Sequence, residues 1–145
     1  MRQMVKRLTV GFAAVLMLAL LFSVNVFAAT AAKGKCGAKL TWTLSDAGVL
    51  TVSGTGAMTA YDSVADVPWY AHRDAVKSVV IKKGVTSVAP YAFQQCGKLT
   101  KVTLPTTVKT IGTHAFSYCG ALKSISIPSG VKTIGNRAFL SCKAL

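Results

Sequence analysis

A fixed interval of 23 residues constrains this chain more than any other feature. Cys96, Cys119 and Cys142 recur at that interval. Sliding the sequence by 23 also superposes Val85, Val108 and Val131, then Val88, Ile111 and Ile134. The dipeptides Ala92-Phe93, Ala115-Phe116 and Ala138-Phe139 align, as do Leu99, Leu122 and Leu145, and Pro105 with Pro128. One unit reads V-x-x-[VI]-x-x-x-A-F-x-x-C-x-x-L-x-x-[VI]-x-[LI]-P. Self-similarity at a period of roughly 20–50 residues marks solenoids and propellers. Each unit holds one short alternating segment, Leu99-x-x-Val102-x-Leu104 or Leu122-x-x-Ile125-x-Ile127. A propeller blade needs four strands, so the repeat excludes a propeller and leaves a solenoid. One interval earlier lies a degenerate unit, Val76-x-x-Val79-x-Ile81, with Arg73 in the place of Cys and Lys82 in the place of Pro. An atypical first unit is expected of a cap.

A period of about 20–29 residues with an L-x-x-L-x-L strand suits a leucine-rich-repeat solenoid. The expected architecture has one short parallel β-strand per 23-residue rung and short helical turns on the convex side. An N-terminal β-hairpin caps it. Strands are expected at Val76–Ile81, Leu99–Leu104 and Leu122–Ile127, paired in register. Side chains alternate along a strand. Val79, Ile81, Val102, Leu104, Ile125 and Ile127 should therefore point inward, and Ser78, Val80, Lys101, Thr103, Ser124 and Ser126 outward. Phe93 and Phe116 should fill the core from the convex turns. Before the rungs, Leu40–Leu44 and Val49–Ser53 alternate around Ser45-Asp46-Ala47-Gly48, which reads as a hairpin. Pro68-Trp69 precedes a short helix expected over Tyr70–Val76.

The N-terminus reads as an address. Arg2, Lys6 and Arg7 precede the apolar run Leu8–Val24, and small residues follow from Ala28 to Ala32. That order describes a secretory signal peptide, with cleavage after Ala28 or after Ala31. The domain reading is residues 1–31 signal peptide, 32–76 N-terminal cap with the hairpin, and 77–145 solenoid with an incomplete last repeat. No membrane span is expected after cleavage. The chain carries 17 Lys+Arg against 4 Asp+Glu, a net charge of +13, and none of the acids is Glu. All four acids, Asp46, Asp62, Asp66 and Asp74, precede Ala75.

The segment Cys36-Gly37, Leu40-Thr41-Trp42-Thr43-Leu44, Gly48, Leu50–Gly56 and Pro68-Trp69, followed by repeated Ile-Gly-x-x-Ala-Phe-x-x-Cys-x-x-Leu, resembles the BspA-like leucine-rich-repeat proteins of bacterial surfaces. The resemblance covers about residues 36–145. It implies a leucine-rich-repeat solenoid and adhesion to host proteins, other cells or surfaces. It offers no catalytic constellation to carry over. The chain ends at Leu145, the first inward residue of what would be the next strand, so a C-terminal truncation is expected.

The chemistry legible in the residues is sparse. Equivalent side chains on stacked rungs stay about 5 Å apart, beyond the ~3.5–4.5 Å between Cβ atoms that a disulfide needs. Zinc sites want ligand pairs a few residues apart, which an interval of 23 does not supply. The cysteines are therefore read as a buried ladder of thiols, with no metal and no cofactor. His72 and His114 are the two histidines, and neither combines with a repeated acid and nucleophile, so no enzyme is expected. The function read from this is a secreted or cell-surface, non-catalytic interaction module that binds an extracellular protein or glycan through its solenoid face. Candidate ligand-binding residues are Ser78, Lys101, Thr103, Ser124 and Ser126. The alternatives are a targeting domain of a larger cell-wall enzyme and a polyanion-binding protein. The last would use Lys109 with Lys132 and His114 with Arg137, which share repeat positions and stack as basic columns. Aromatics do not interleave with the bases, so no specific nucleic acid is expected.

Overall fold

The structure, a computed structural model, describes residues 29–145. The signal-peptide reading lies outside these residues, apart from its last three positions. Among the described residues, no helix is long and apolar enough to cross a membrane.

Among the described residues, nine strands form two sheets: β1 (Thr30–Gly37), β2 (Leu40–Ser45), β3 (Val49–Gly54), β4 (Gly56–Ala57), β5 (Ser78–Ile81), β6 (Val85–Val88), β7 (Lys101–Thr103), β8 (Thr110–Ile111) and β9 (Thr133–Ile134). The first sheet has the order β1-β2-β3-β5-β7, and the second has the order β4-β6-β8-β9. β2 and β3 pair antiparallel with Trp42 opposite Val52, and β1 adds antiparallel to β2 with Gly34 opposite Trp42. From β3 onward every pairing is parallel. Leu50 lies opposite Val79, and Val79 opposite Val102, so the hairpin's second strand is the surface on which the first rung stacks.

Glycine at position 48 makes that junction. Its φ is +81°, and a Cβ there would lie 2.6 Å from the Ala75 carbonyl oxygen. The Gly48 carbonyl accepts from the amides of Lys77 and Ser78 at 2.8 and 3.1 Å. The hairpin turn thereby holds the entry to β5.

Three expectations are corrected. First, a second short strand follows the expected one in the rungs that form it, and the last rung keeps only this second strand. Val85–Val88, Thr110–Ile111 and Thr133–Ile134 pair in parallel, with Val88 opposite Ile111 and Ile111 opposite Ile134. Their apolar residues stand three apart with two partly exposed residues between, so no period-two alternation announces them.

Second, the segment Pro90–Cys96 is a run of turns and not a helix. Tyr91, Gln95, His114, Tyr118, Arg137 and Ser141 all have positive φ, between 55° and 63°. Each costs roughly 1–2 kcal/mol for an L-residue. The stacking offsets that cost. Left-handed residues four apart bracket a stretch in which every second amide points toward the following rung. Tyr91, Phe93 and Gln95 donate to the carbonyls of Thr113, Ala115 and Ser117 at 3.0, 2.8 and 2.9 Å. His114, Phe116 and Tyr118 do the same to Asn136, Ala138 and Leu140. A helix would spend those amides within the rung. The expected helix at Tyr70–Val76 is likewise a tighter 3-10 turn, Tyr70–Ala75.

Third, Leu122–Ile127 forms no strand, and Ile127 is 36% exposed. No rung lies on its far side in the described chain, so it is packed from one side only. Burial fades toward that end throughout. Ile111 is 1% exposed and its equivalent Ile134 is 49%; Leu122 is 0% and Leu145 is 53%. Among the other inward expectations, Val79, Ile81, Val102, Phe93 and Phe116 are buried, while Leu104 and Ile125 are half-buried.

Aromatic rings form the spine of the stack. Trp69, Phe93, Phe116 and Phe139 follow one another with centroids 5.4, 5.3 and 5.5 Å apart and rings nearly parallel. Rung spacing also explains Gly112 of the repeated Ile-Gly. A Cβ there would sit 2.3 Å from the backbone nitrogen of Pro90. The Gly112 amide donates to the Val88 carbonyl at 2.8 Å, so the rungs cannot part to admit one.

Candidate ligand-binding face

The outer face of the first sheet is built by alternation. Where Leu40, Trp42, Leu44, Leu50, Val52, Val79, Ile81 and Val102 are buried, the residues between them face out. The strand registers set these into rows across the sheet. One row runs Lys33, Thr43, Thr51, Val80, Thr103. A second runs Lys35, Thr41, Ser53, and a third Val49, Ser78, Lys101. Neighbours in a row stand about 4.8 Å apart and rows about 7 Å apart. The face is rich in hydroxyls, and none of its five strands carries an acid. The Thr41 and Ser53 hydroxyl oxygens lie 3.5 Å apart across the strands, at hydrogen-bond distance with either able to donate.

Of the predicted ligand residues, Ser78, Lys101 and Thr103 stand on this face. Ser124 and Ser126 are exposed but lie on the segment that forms no strand. Sequence reasoning missed most of the face. Lys33 and Lys35 carried no reading of their own beyond membership of the cap, and they lie on β1. Thr41, Thr43 and Thr51 read as hairpin residues of a separate cap, yet the hairpin shares its sheet with the rungs. The alternation in Leu40–Leu44 was the available signal.

The basic columns lie elsewhere. Lys109 and Lys132 are adjacent at the start of β8 and β9, where the Lys132 amide donates to the Lys109 carbonyl at 2.8 Å. The Lys109 ammonium lies over Gly130, 2.9 Å from where a Cβ would sit. His114 is half-buried. Its ring stacks on Tyr91 at 5.6 Å and 8°, and Nδ1 is 3.2 Å from the Ser117 hydroxyl oxygen. That Ser-His pair is no nucleophile. Ser117 is fully buried, and its hydroxyl lies 3.2 Å from the His114 carbonyl, to which it donates.

The four cysteines are free thiols, and no group of metal-ligating residues converges among the described residues. Cys119 and Cys142 each donate Sγ–H to the carbonyl of the phenylalanine on the preceding rung, Phe93 and Phe116, at 3.1 Å. In the degenerate first unit Arg73 takes over, with its guanidinium donating to Tyr70 O at 3.1 Å. Burial pushes the Cys96 thiol up from about 9 to about 12 and the Cys36 thiol to about 11, and it raises Cys119 further. These groups stay protonated and unreactive in the fold. The linkage has a definite sign. Unfolded thiols ionise above about pH 9 while the folded ones do not, so stability is intact below that pH. It falls as pH climbs from about 9 toward 12. Melts at pH 7.5 and 10.5 should show the loss, and Cys96→Ala should make the chain less sensitive to that change.

Two comparisons place the fold. A family model described as "BspA type Leucine rich repeat region (6 copies)" matches residues 66–145. Among solved structures, a leucine-rich repeat protein from Eubacterium ventriosum aligns at 32% identity with a TM-score of 0.66, over 76% of this chain and 36% of that one. The T. pallidum leucine rich repeat protein aligns at 22% identity with a TM-score of 0.52, over 77% of this chain and 58% of that one. The chain thus spans about a third to three-fifths of the length of these relatives. No curated protein matches it. With the repeat, the parallel stacking and the family match in agreement, the chain belongs to the BspA-type leucine-rich-repeat family.

Proposed function

We propose that the mature chain is a secreted or cell-surface interaction module without catalytic activity, and that it binds an extracellular partner through the outer face of the first sheet. One observation carries this reading: a hydroxyl-rich face that runs over five strands and whose side chains are exposed or half-exposed among the described residues. Short hydroxyl side chains let a partner approach the backbone closely. The leader pattern before Ala29 supports export. The lack of an accessible nucleophile–base pair at Ser117 and His114 supports a non-catalytic role.

Blocking the face tests the reading. Thr51→Trp with Thr103→Trp should abolish adherence of the chain to the cells or matrix it recognises. Thr110→Trp with Thr133→Trp, on the second sheet, should leave adherence unchanged. Equal adherence by both variants, each melting as the parent does, would remove the first sheet from the mechanism.

A polyanion-binding role for Lys109, Lys132, His114 and Arg137 draws support from the stacking of Lys132 on Lys109. The engagement of His114 with Tyr91 and Ser117 counts against it.

A further inference from the structure

Resting on the sheet-face reading, we infer that the primary site lies on the N-terminal hairpin and its added strand β1, not on the rungs, and that it takes an acidic polysaccharide. A shallow depression of about 460 Å³ lies at this end of the hairpin, bordered by Lys33, Lys35, Thr41 and Thr43 of the outer face and by Gly34 and Trp42, which alternate with them. Lys33 and Lys35 stand on the same side of β1, directly across from Thr43 and Thr41. Their Cα atoms stand about 7 Å apart, so two like charges share this end of the face, and no acid on its strands compensates them. Asp46, the nearest acid in sequence, lies in the hairpin turn beyond β2.

The chemistry selects the ligand. An anion satisfies the lysine pair. From that pair, the row Thr43-Thr51 leads across the sheet toward Thr103, with Val80 between. A hydroxyl both donates and accepts, so such a row matches a polymer whose own surface is hydroxyls. The spacing of strands, about 4.8 Å, is close to the advance of one sugar along an extended chain. The face carries no exposed aromatic ring, which a single-stranded nucleic acid would need for stacking. Uronate sugars combine a carboxylate with hydroxyls on each unit, and they are the class this arrangement fits.

The test uses the chain from Ala29 to Leu145, with polygalacturonate, neutral dextran and polyaspartate as probes. Polygalacturonate should bind, dextran should not, and polyaspartate should bind weakly. Lys33→Ala with Lys35→Ala should lower the polygalacturonate affinity by about tenfold at low salt and flatten its salt dependence. Thr43→Val with Thr51→Val should weaken binding several-fold and leave the salt slope unchanged. Lys109→Ala with Lys132→Ala should bind within about twofold of the parent. The inference is overturned if polyaspartate equals polygalacturonate, if dextran binds as well, if the hairpin lysines can be removed without loss, or if polygalacturonate does not bind. In any of these cases, cell adherence blocked by Thr51→Trp with Thr103→Trp would keep the sheet-face reading standing. Adherence insensitive to that pair would end both.

Discussion

Trp69→Ala should cost the chain more stability than any other single truncation, about 4–5 kcal/mol. Trp69 is 1% exposed and sits at the seam between the hairpin and the first rung. One face of its indole stacks on Phe93 at 5.4 Å, while Trp42 meets it edge-on at 5.6 Å and Tyr61 at 6.4 Å. Its Nε1–H donates to the Ala92 carbonyl at 2.7 Å. The equivalent carbonyls on later rungs, Ala115 and Ala138, are satisfied by backbone amides of the preceding rung, Phe93 and Phe116. In the first unit the tryptophan side chain supplies the proton that a rung would have supplied. It therefore ends the aromatic spine and the hydrogen-bond ladder together. The two roles separate experimentally. Trp69→Phe keeps a stacked ring but leaves a buried carbonyl without its donor, which costs about 1–3 kcal/mol. Denaturant unfolding of both variants checks this. Equal losses would mean that a stacked ring recovers nothing and the Nε1–H bond accounts for the whole effect; no loss in Trp69→Phe would mean that the indole acts through its bulk alone.

Phe116→Ala should follow closely, at about 3–5 kcal/mol. Phe116 is fully buried, with Phe93 stacked on one side at 5.3 Å and Phe139 on the other at 5.5 Å. Its removal opens a cavity that the rungs cannot close, because amide bonds on both sides fix their separation. For a chain of this size, a loss of that order lowers the melting temperature by roughly 10–25 °C. Phe139→Ala, with the same neighbour on one side only and half-buried, should cost clearly less. Thermal melts of the two variants would reveal this gradient. Identical shifts would show that burial does not decline toward the C-terminal rung as described.

The repeat by itself determined much of this protein. A strict interval of 23 forces equivalent residues into columns, and the apolar residues in each unit must then share one core. Strand pairing at Val79 opposite Val102, the phenylalanine spine and the thiol column all follow from that periodicity. The hairpin was legible from alternation around Gly48. Three things were decided only by the packed rungs. The second strand of each rung arises because Val85–Val88 has a neighbour at the right distance, not because it alternates. The left-handed residues Tyr91 and Gln95 bear no glycine or asparagine to announce them. Their conformation is held by amide bonds to Thr113 and Ser117, which exist only once the rungs stack. The extent of the candidate face was hidden for the same reason. Lys33, Thr43, Thr51 and Thr103 are far apart in sequence, and only the registers of five strands set them in one row. Periodicity records which side chains share a column, whereas long-range backbone pairing decides which columns share a surface.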